Sequence, residues 1–190
     1  MRRVSSVAAL ALMVGSAWGI DLGADAPAWS NLPGTDGKNH SLQELKDAKA
    51  VVVAFTCNHC PVAVAYEDRF IAFAKEYQKK GVAFVAISVN KGESDQLPAM
   101  IERAKEKDFP FPYIYDESQK IGHDFQAEKT PHLFVLDKDR KIAYVGSFDD
   151  KMAAEKVETH FVKDAVDAIL AGKKPAVQTH PAHGCGIRYE

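Results

Sequence analysis

The 190 residues are 46% hydrophobic and 26% charged, the make-up of a soluble one-domain globular protein that can bury a core without disulfide staples. Lys and Arg number 24 against 26 Asp and Glu, a formal net charge of −2, and no basic cluster stands out, which argues against nucleic acid as a partner. The 3 cysteines are an odd number, so any single disulfide leaves one thiol over.

The first nineteen residues stand apart. Arg2 and Arg3 precede the short apolar run Val7–Val14, and Gly15-Ser16-Ala17-Trp18-Gly19 supplies small residues for cleavage. This reads as a signal peptide cut after Gly19, hence a periplasmic or secreted protein. The apolar run is well short of the roughly 20 residues a spanning helix needs, so no stable membrane insertion is expected after cleavage. Losing Arg2 and Arg3 leaves 22 basic residues against 26 acidic, a net charge near −4. The folded domain is expected over residues 20–172, with a tail over 173–190.

Residues 20–50 are rich in turn formers, and Asp36-Gly37 predicts a hairpin. Ser41-Leu42-Gln43-Glu44 has capping-box spacing ahead of a short helical turn. Val51–Phe55 is β-branched and unalternating, as suits a strand buried on both faces. From Pro61 to Lys80, Val62, Tyr66, Phe70, Phe73 and Tyr77 recur at helical spacing, and Gly81 stops the helix. Val82–Val89 is a second buried strand, completing a right-handed βαβ unit. A helix follows over Asp95–Lys107, capped by Ser94 or Asp95, then a strand at Phe111–Tyr115 and a short helix at Glu117–Phe125. Thr130-Pro131 leads into the strand His132–Leu136, and Asp137–Arg140 turns into the return strand Ile142–Val145. Lys151–Ala171 is predicted as the last helix, with Met152, Val157, Phe161, Ala165 and Ile169 on one face and Asp149 and Asp150 as its cap.

The chemistry is concentrated at Val51–Pro61. Cys57 and Cys60 have C-x-x-C spacing where a strand gives way to a helix, the pattern of a dithiol redox centre. Free N–H groups and the positive dipole end at the helix start favour a thiolate at Cys57, and Cys60 is one turn away. Cys57 is the candidate nucleophile and Cys60 the resolving thiol. A structural disulfide or half of a metal site are the alternatives. His59, just before Cys60, is a candidate for favouring the Cys57 thiolate as a cation, which would make the site more oxidising. Cys185 lies in His180-Pro181-Ala182-His183-Gly184-Cys185, and three roles stay open for it. It is a third redox thiol relaying electrons with Cys60, a ligand with His180 and His183 for copper(I) or zinc, or a spare thiol in a disordered tail. No motif calls for a bound cofactor.

The element order, with Thr56–Pro61, Tyr66–Arg69, Phe111–Asp116, Thr130–Phe134 and Gly184–Arg188, resembles the thioredoxin fold. Within that fold it is similar to the redoxin group of alkyl hydroperoxide reductase/thiol-specific antioxidant proteins and exported thiol–disulfide oxidoreductases, closest to a set labelled peroxiredoxin-like. The likeness runs from about Ala26 to the C-terminus. It implies an α/β fold with a central mixed sheet and helices on both faces. An N-terminal hairpin precedes this core, and a helix–strand–helix segment is inserted before a cis proline at Pro131. It further implies that Thr130 offers backbone groups to an extended substrate. Partners would be protein or small-molecule disulfides and thiols, or peroxides, together with an upstream thiol-redox partner. Departures from the pattern are equally specific. Ala54 stands where thioredoxins carry a buried acid, Thr56 adjoins Cys57, and Arg69, Arg103 and Arg140 have no evident claim to polarise a peroxide. A copper metallochaperone is the rival from another class, although such redoxins space their cysteines one residue wider.

Overall fold

The structure, a computed structural model, describes residues 20–190. The leader expected over residues 1–19 lies outside the described residues. Among the described residues no helix is long and apolar enough to cross a membrane.

Strands β1 (Leu32–Pro33) and β2 (Asn39–His40) pair antiparallel across the Asp36-Gly37 turn, where Gly37 takes a φ of +75° that a side chain would oppose. Then come β3 (Ala50–Phe55), α1 (Pro61–Gln78) and β4 (Val82–Ser88), the two strands running parallel with Val51 level with Ala83. Every β3 residue is buried. Ala50, Val52 and Ala54 join one core cluster, and Val51, Val53 and Phe55 join the other. The unbroken apolar run therefore reflects a strand with both faces covered.

The chain continues through α2 (Leu97–Lys107), β5 (Tyr113–Tyr115) and α3 (Lys120–Asp124). After β6 (Lys129–Thr130) come β7 (His132–Leu136), β8 (Ile142–Gly146), α4 (Phe161–Leu170) and β9 (Cys185–Gly186). The main sheet has the order β5-β4-β3-β7-β8, parallel through β5, β4 and β3 and antiparallel at β7 and β8. Tyr66, Phe70 and Phe73 of α1 pack with Phe161 and Val166 of α4 on one face, and Ile121 of α3 packs with Phe125 and Trp29 on the other. Phe70 meets Phe84 and Phe148 at ring separations of 5.4 and 5.1 Å. Truncating one such buried ring costs about 3–5 kcal/mol. This is the thioredoxin fold, with α2, β5 and α3 inserted before a cis Thr130-Pro131 bond.

Several boundaries differ from expectation, each for a local reason. Ser41 makes no cap: its Oγ accepts from Asn31 N at 3.0 Å, and residues 42–45 form a 3-10 turn. The second helix starts at Leu97 after Gln96, because Asp95 is turned inward to other donors. The long final helix is broken. Asp150 Oδ1 accepts from Glu158 N and Thr159 N at 3.0 and 3.1 Å, holding a loop ahead of α4, so Met152 stays half exposed. Asp149 and Asp150 do not cap α4, whose first turn follows His160. The tail is ordered. Thr179 bridges to Val145, Ile187 N donates to Glu128 O at 2.9 Å, and Tyr189 Oη donates to Ala127 O at 2.6 Å.

Candidate active site

β3 stops at Phe55, and Thr56 N still donates to Ile87 O at 2.9 Å. The chain then turns through Cys57–Cys60 into α1, whose first residue, Pro61, has no N–H to leave unsatisfied. Both cysteines are shut away: Cys57 is 2% exposed and Cys60 fully buried. Cys57 Sγ lies 3.2 Å from Thr130 Oγ1 and Cys60 Sγ 3.1 Å from Thr130 O, so the residue before the cis proline touches both sulfurs.

The sulfur pairing differs from the one the C-x-x-C spacing suggests. Cys60 is bonded to Cys185, 125 residues away with a Cα separation of 6.0 Å, and Cys57 is free. The cause is the tail. β9 pairs antiparallel with β6, placing Cys185 opposite Thr130 and Gly186 opposite Lys129. Gly184 allows this approach: a Cβ there would lie 2.2 Å from Thr130 O. The Thr130 edge expected to receive a substrate thus carries the chain's own C-terminal strand.

His59 is half exposed and turns Nδ1 to Asp95 Oδ2 in a short contact. Asp95, only 1% exposed, also accepts from Asn58 N at 2.8 Å and His59 N at 3.1 Å through Oδ1. One buried carboxylate therefore ties down both residues between the cysteines. Tyr113 Oη donates to Asn58 Oδ1 at 3.1 Å, and Asn58 Nδ2 donates to Ser94 O at 2.7 Å. Burial pushes the Cys57 thiol above its ordinary pKa; the Thr130 hydroxyl opposes this, and the Asp95 charge adds to it. His59, expected to act on the Cys57 thiolate, pairs with Asp95 and keeps a ring nitrogen within 4.8 Å of the Cys57 sulfur.

A second buried acid, Glu67 of α1, lines a small cavity with Cys57, Phe111 and Tyr113. Arg103 holds it with Nε at 2.9 Å and Nη2 at 2.6 Å. Ala54 leaves the usual acid position of β3 empty of charge, and Asp95 and Glu67 bring carboxylates to the dithiol from other elements. Sequence reasoning missed both as site residues. Glu67 carried a signal, since it sits within the apolar stripe between Tyr66 and Phe70. Asp95 carried none beyond its reading as a cap.

Among the described residues, Cys57, His59 and Asp95 are a group whose potential ligand atoms lie within 4.8 Å of one another. His180, His183 and Cys185 do not converge in the same way. The His180 ring stacks on Phe161 at 4.1 Å, and the Cys185 sulfur is committed to its disulfide. The arginines are committed too. Arg69 binds Asp149 at 2.5 Å, Arg103 binds Glu67, and Arg140 binds the carbonyls of Leu45 and Ala48.

A groove of ≈ 910 Å³ runs beside the disulfide, lined by His59, Asn90, Asp95, Cys185, Ile187 and Arg188 among others.

A family model, Redoxin, matches residues 21–160. Thiol-disulfide oxidoreductase ResA of Bacillus cereus is 29% identical over 128 residues, 65% of this chain and 68% of the relative. A hypothetical protein from Sinorhizobium meliloti is 33% identical with a TM-score of 0.84, covering 90% of this chain and 96% of the other. An uncharacterized conserved protein from Geobacillus kaustophilus is 34% identical with a TM-score of 0.83, covering 90% and 93%. The three cysteines around a cis proline thus sit in a chain that belongs to the thioredoxin-like redoxin family.

Proposed function

We propose that this protein is an exported thiol–disulfide oxidoreductase acting on protein or small-molecule disulfides, with Cys57 as nucleophile and Cys60 as resolving thiol. The Cys57 thiolate attacks a substrate disulfide, forming a mixed disulfide and releasing one substrate thiolate. Cys60 then attacks the Cys57 sulfur, releasing the second thiolate and closing Cys57–Cys60; the substrate gains two electrons and the dithiol loses them. The observation carrying this reading is the convergence of both sulfurs on Thr130, the residue before the cis proline, at 3.2 and 3.1 Å. Export rests on the basic and apolar leader in residues 1–19.

Disulfide exchange is preferred over peroxide reduction because Arg69, Arg103 and Arg140 are all bound to carboxylate or carbonyl oxygens. It is preferred over copper delivery because Cys60 and Cys185 are joined to each other. The test is dithiothreitol-dependent insulin reduction by the wild type and by Cys57→Ser. The variant is expected to lose the activity; insulin reduction at the wild-type rate in Cys57→Ser would overturn the assignment.

A further inference from the structure

Resting on that exchange chemistry, we infer that Cys185 is the port through which an external dithiol reductant reaches the buried centre. The Cys60–Cys185 disulfide is then the station where oxidation waits. Three observations carry this.

First, the bond observed is not the one that substrate turnover makes. Turnover closes Cys57–Cys60, whereas Cys60 is joined to Cys185 and Cys57 is free. The two states interconvert by one exchange step. The Cys185 thiolate attacks the Cys60 sulfur of Cys57–Cys60, the new bond forms, and the Cys57 thiolate leaves. No electrons are gained or lost overall; Cys57 returns to a thiol while the two-electron oxidation is held in Cys60–Cys185 until a reductant removes it.

Second, accessibility separates the sulfurs. Cys57 is 2% exposed and Cys60 fully buried, while Cys185 is partly exposed and lines the ≈ 910 Å³ groove. A thiolate arriving from outside meets Cys185 first. Its attack there forms a mixed disulfide and releases the Cys60 thiolate. The reductant's second thiol then attacks its own sulfur in that bond and releases the Cys185 thiolate. The external dithiol becomes a disulfide, and the enzyme recovers three thiols.

Third, the tail is fastened to hold Cys185 in place. Beyond the pairing of β9 with β6, Gln119 Nε2 donates to Arg188 O at 2.8 Å, and Ser147 Oγ donates to Pro181 O at 2.7 Å. A spare thiol on a loose end would need none of this. The tail occupies the Thr130 edge as a substrate would, so it also covers the dithiol while oxidation waits.

The test uses two measurements on the purified full chain. The wild type is oxidised with one equivalent of an insulin-type disulfide substrate, alkylated with iodoacetamide and mapped by peptide mass spectrometry. The expected product has Cys60 joined to Cys185 and Cys57 alkylated; Cys57 joined to Cys60 with Cys185 alkylated overturns the relay. Oxidised Cys57→Ser, whose disulfide is Cys60–Cys185, is next treated with glutathione and quenched with N-ethylmaleimide. Glutathione is expected on Cys185 and maleimide on Cys60; the reverse placement overturns the port. Re-reduction by glutathione is also expected to slow at least tenfold in Cys185→Ser, and an unchanged rate counts against the port. These outcomes stand apart from failure of the proposed function, which is read from insulin reduction by Cys57→Ser alone.

Discussion

Asp95 offers the sharpest test of how the site is tuned. Its carboxylate lies within 4.8 Å of the Cys57 sulfur and holds the backbone N–H groups of Asn58 and His59. Asp95→Asn keeps the side-chain shape and the Oδ1 acceptor but removes the charge. At 4.8 Å and an effective dielectric of about 20, that charge opposes a Cys57 thiolate by about 3.5 kcal/mol. Removing the charge therefore favours the Cys57 thiolate at pH 7. A less basic thiolate is a weaker nucleophile, which offsets about half of that gain on a logarithmic scale, so a several-fold net rise in alkylation rate is expected. The assay is iodoacetamide alkylation at pH 7 in a Cys60→Ser/Cys185→Ser background, where Cys57 is the only thiol. An alkylation rate equal to or below that of the parent would refute the reasoning, because it would mean that Asp95 does not act on Cys57 through its charge.

Two further outcomes follow from packing and burial. Gly184→Ala places a Cβ 2.2 Å from Thr130 O and 2.7 Å from Thr130 C, so β9 must move off β6 at a cost of about 1–3 kcal/mol. In the oxidised protein the share of Cys60–Cys185 seen by peptide mapping is expected to fall several-fold, and proteolysis within residues 173–190 to accelerate; a wild-type map contradicts this. His132, 8% exposed, has its pKa lowered from 6.5 to about 4 by burial. Between those values the unfolded chain binds a proton that the folded protein refuses, so stability present above about pH 6.5 is lost as pH falls toward 4. The loss amounts to about 3 kcal/mol at full extent, read as a drop in urea midpoint between pH 7.5 and pH 4.5. His132→Gln is expected to flatten that slope; an equal slope in the variant would assign it to other groups.

Much of the fold was legible from local pattern. An unalternating β-branched run predicts a strand covered on both faces, and Val51–Phe55 sits at the centre of the sheet with its residues divided between two core clusters. The apolar stripe from Val62 to Tyr77 marks α1 because burial of one helical face leaves a 3.6-residue trace in composition. Capping and boundary expectations fared worse. Ser41, Asp95, Asp149 and Asp150 each carry a side chain suited to a cap, but each meets a stronger partner brought from elsewhere in the chain or a nearer loop.

The amino-acid order alone determined the C-x-x-C at a strand–helix junction and the Thr-Pro ahead of a hairpin, because both are written in adjacent residues. What surrounds the dithiol was decided by tertiary structure. Asp95 comes from the connection after β4, 38 residues from Cys57; Glu67 comes from a helix, 10 residues from Cys57; and Cys185 comes from a tail laid across β6, 125 residues from Cys60. Apart from Glu67, which its place in an apolar helical stripe marks, such contacts leave no periodic sign, since they depend on how elements pack rather than on what precedes them. The C-x-x-C spacing points to a bond between Cys57 and Cys60; strand pairing between β9 and β6 gives Cys60 a different partner.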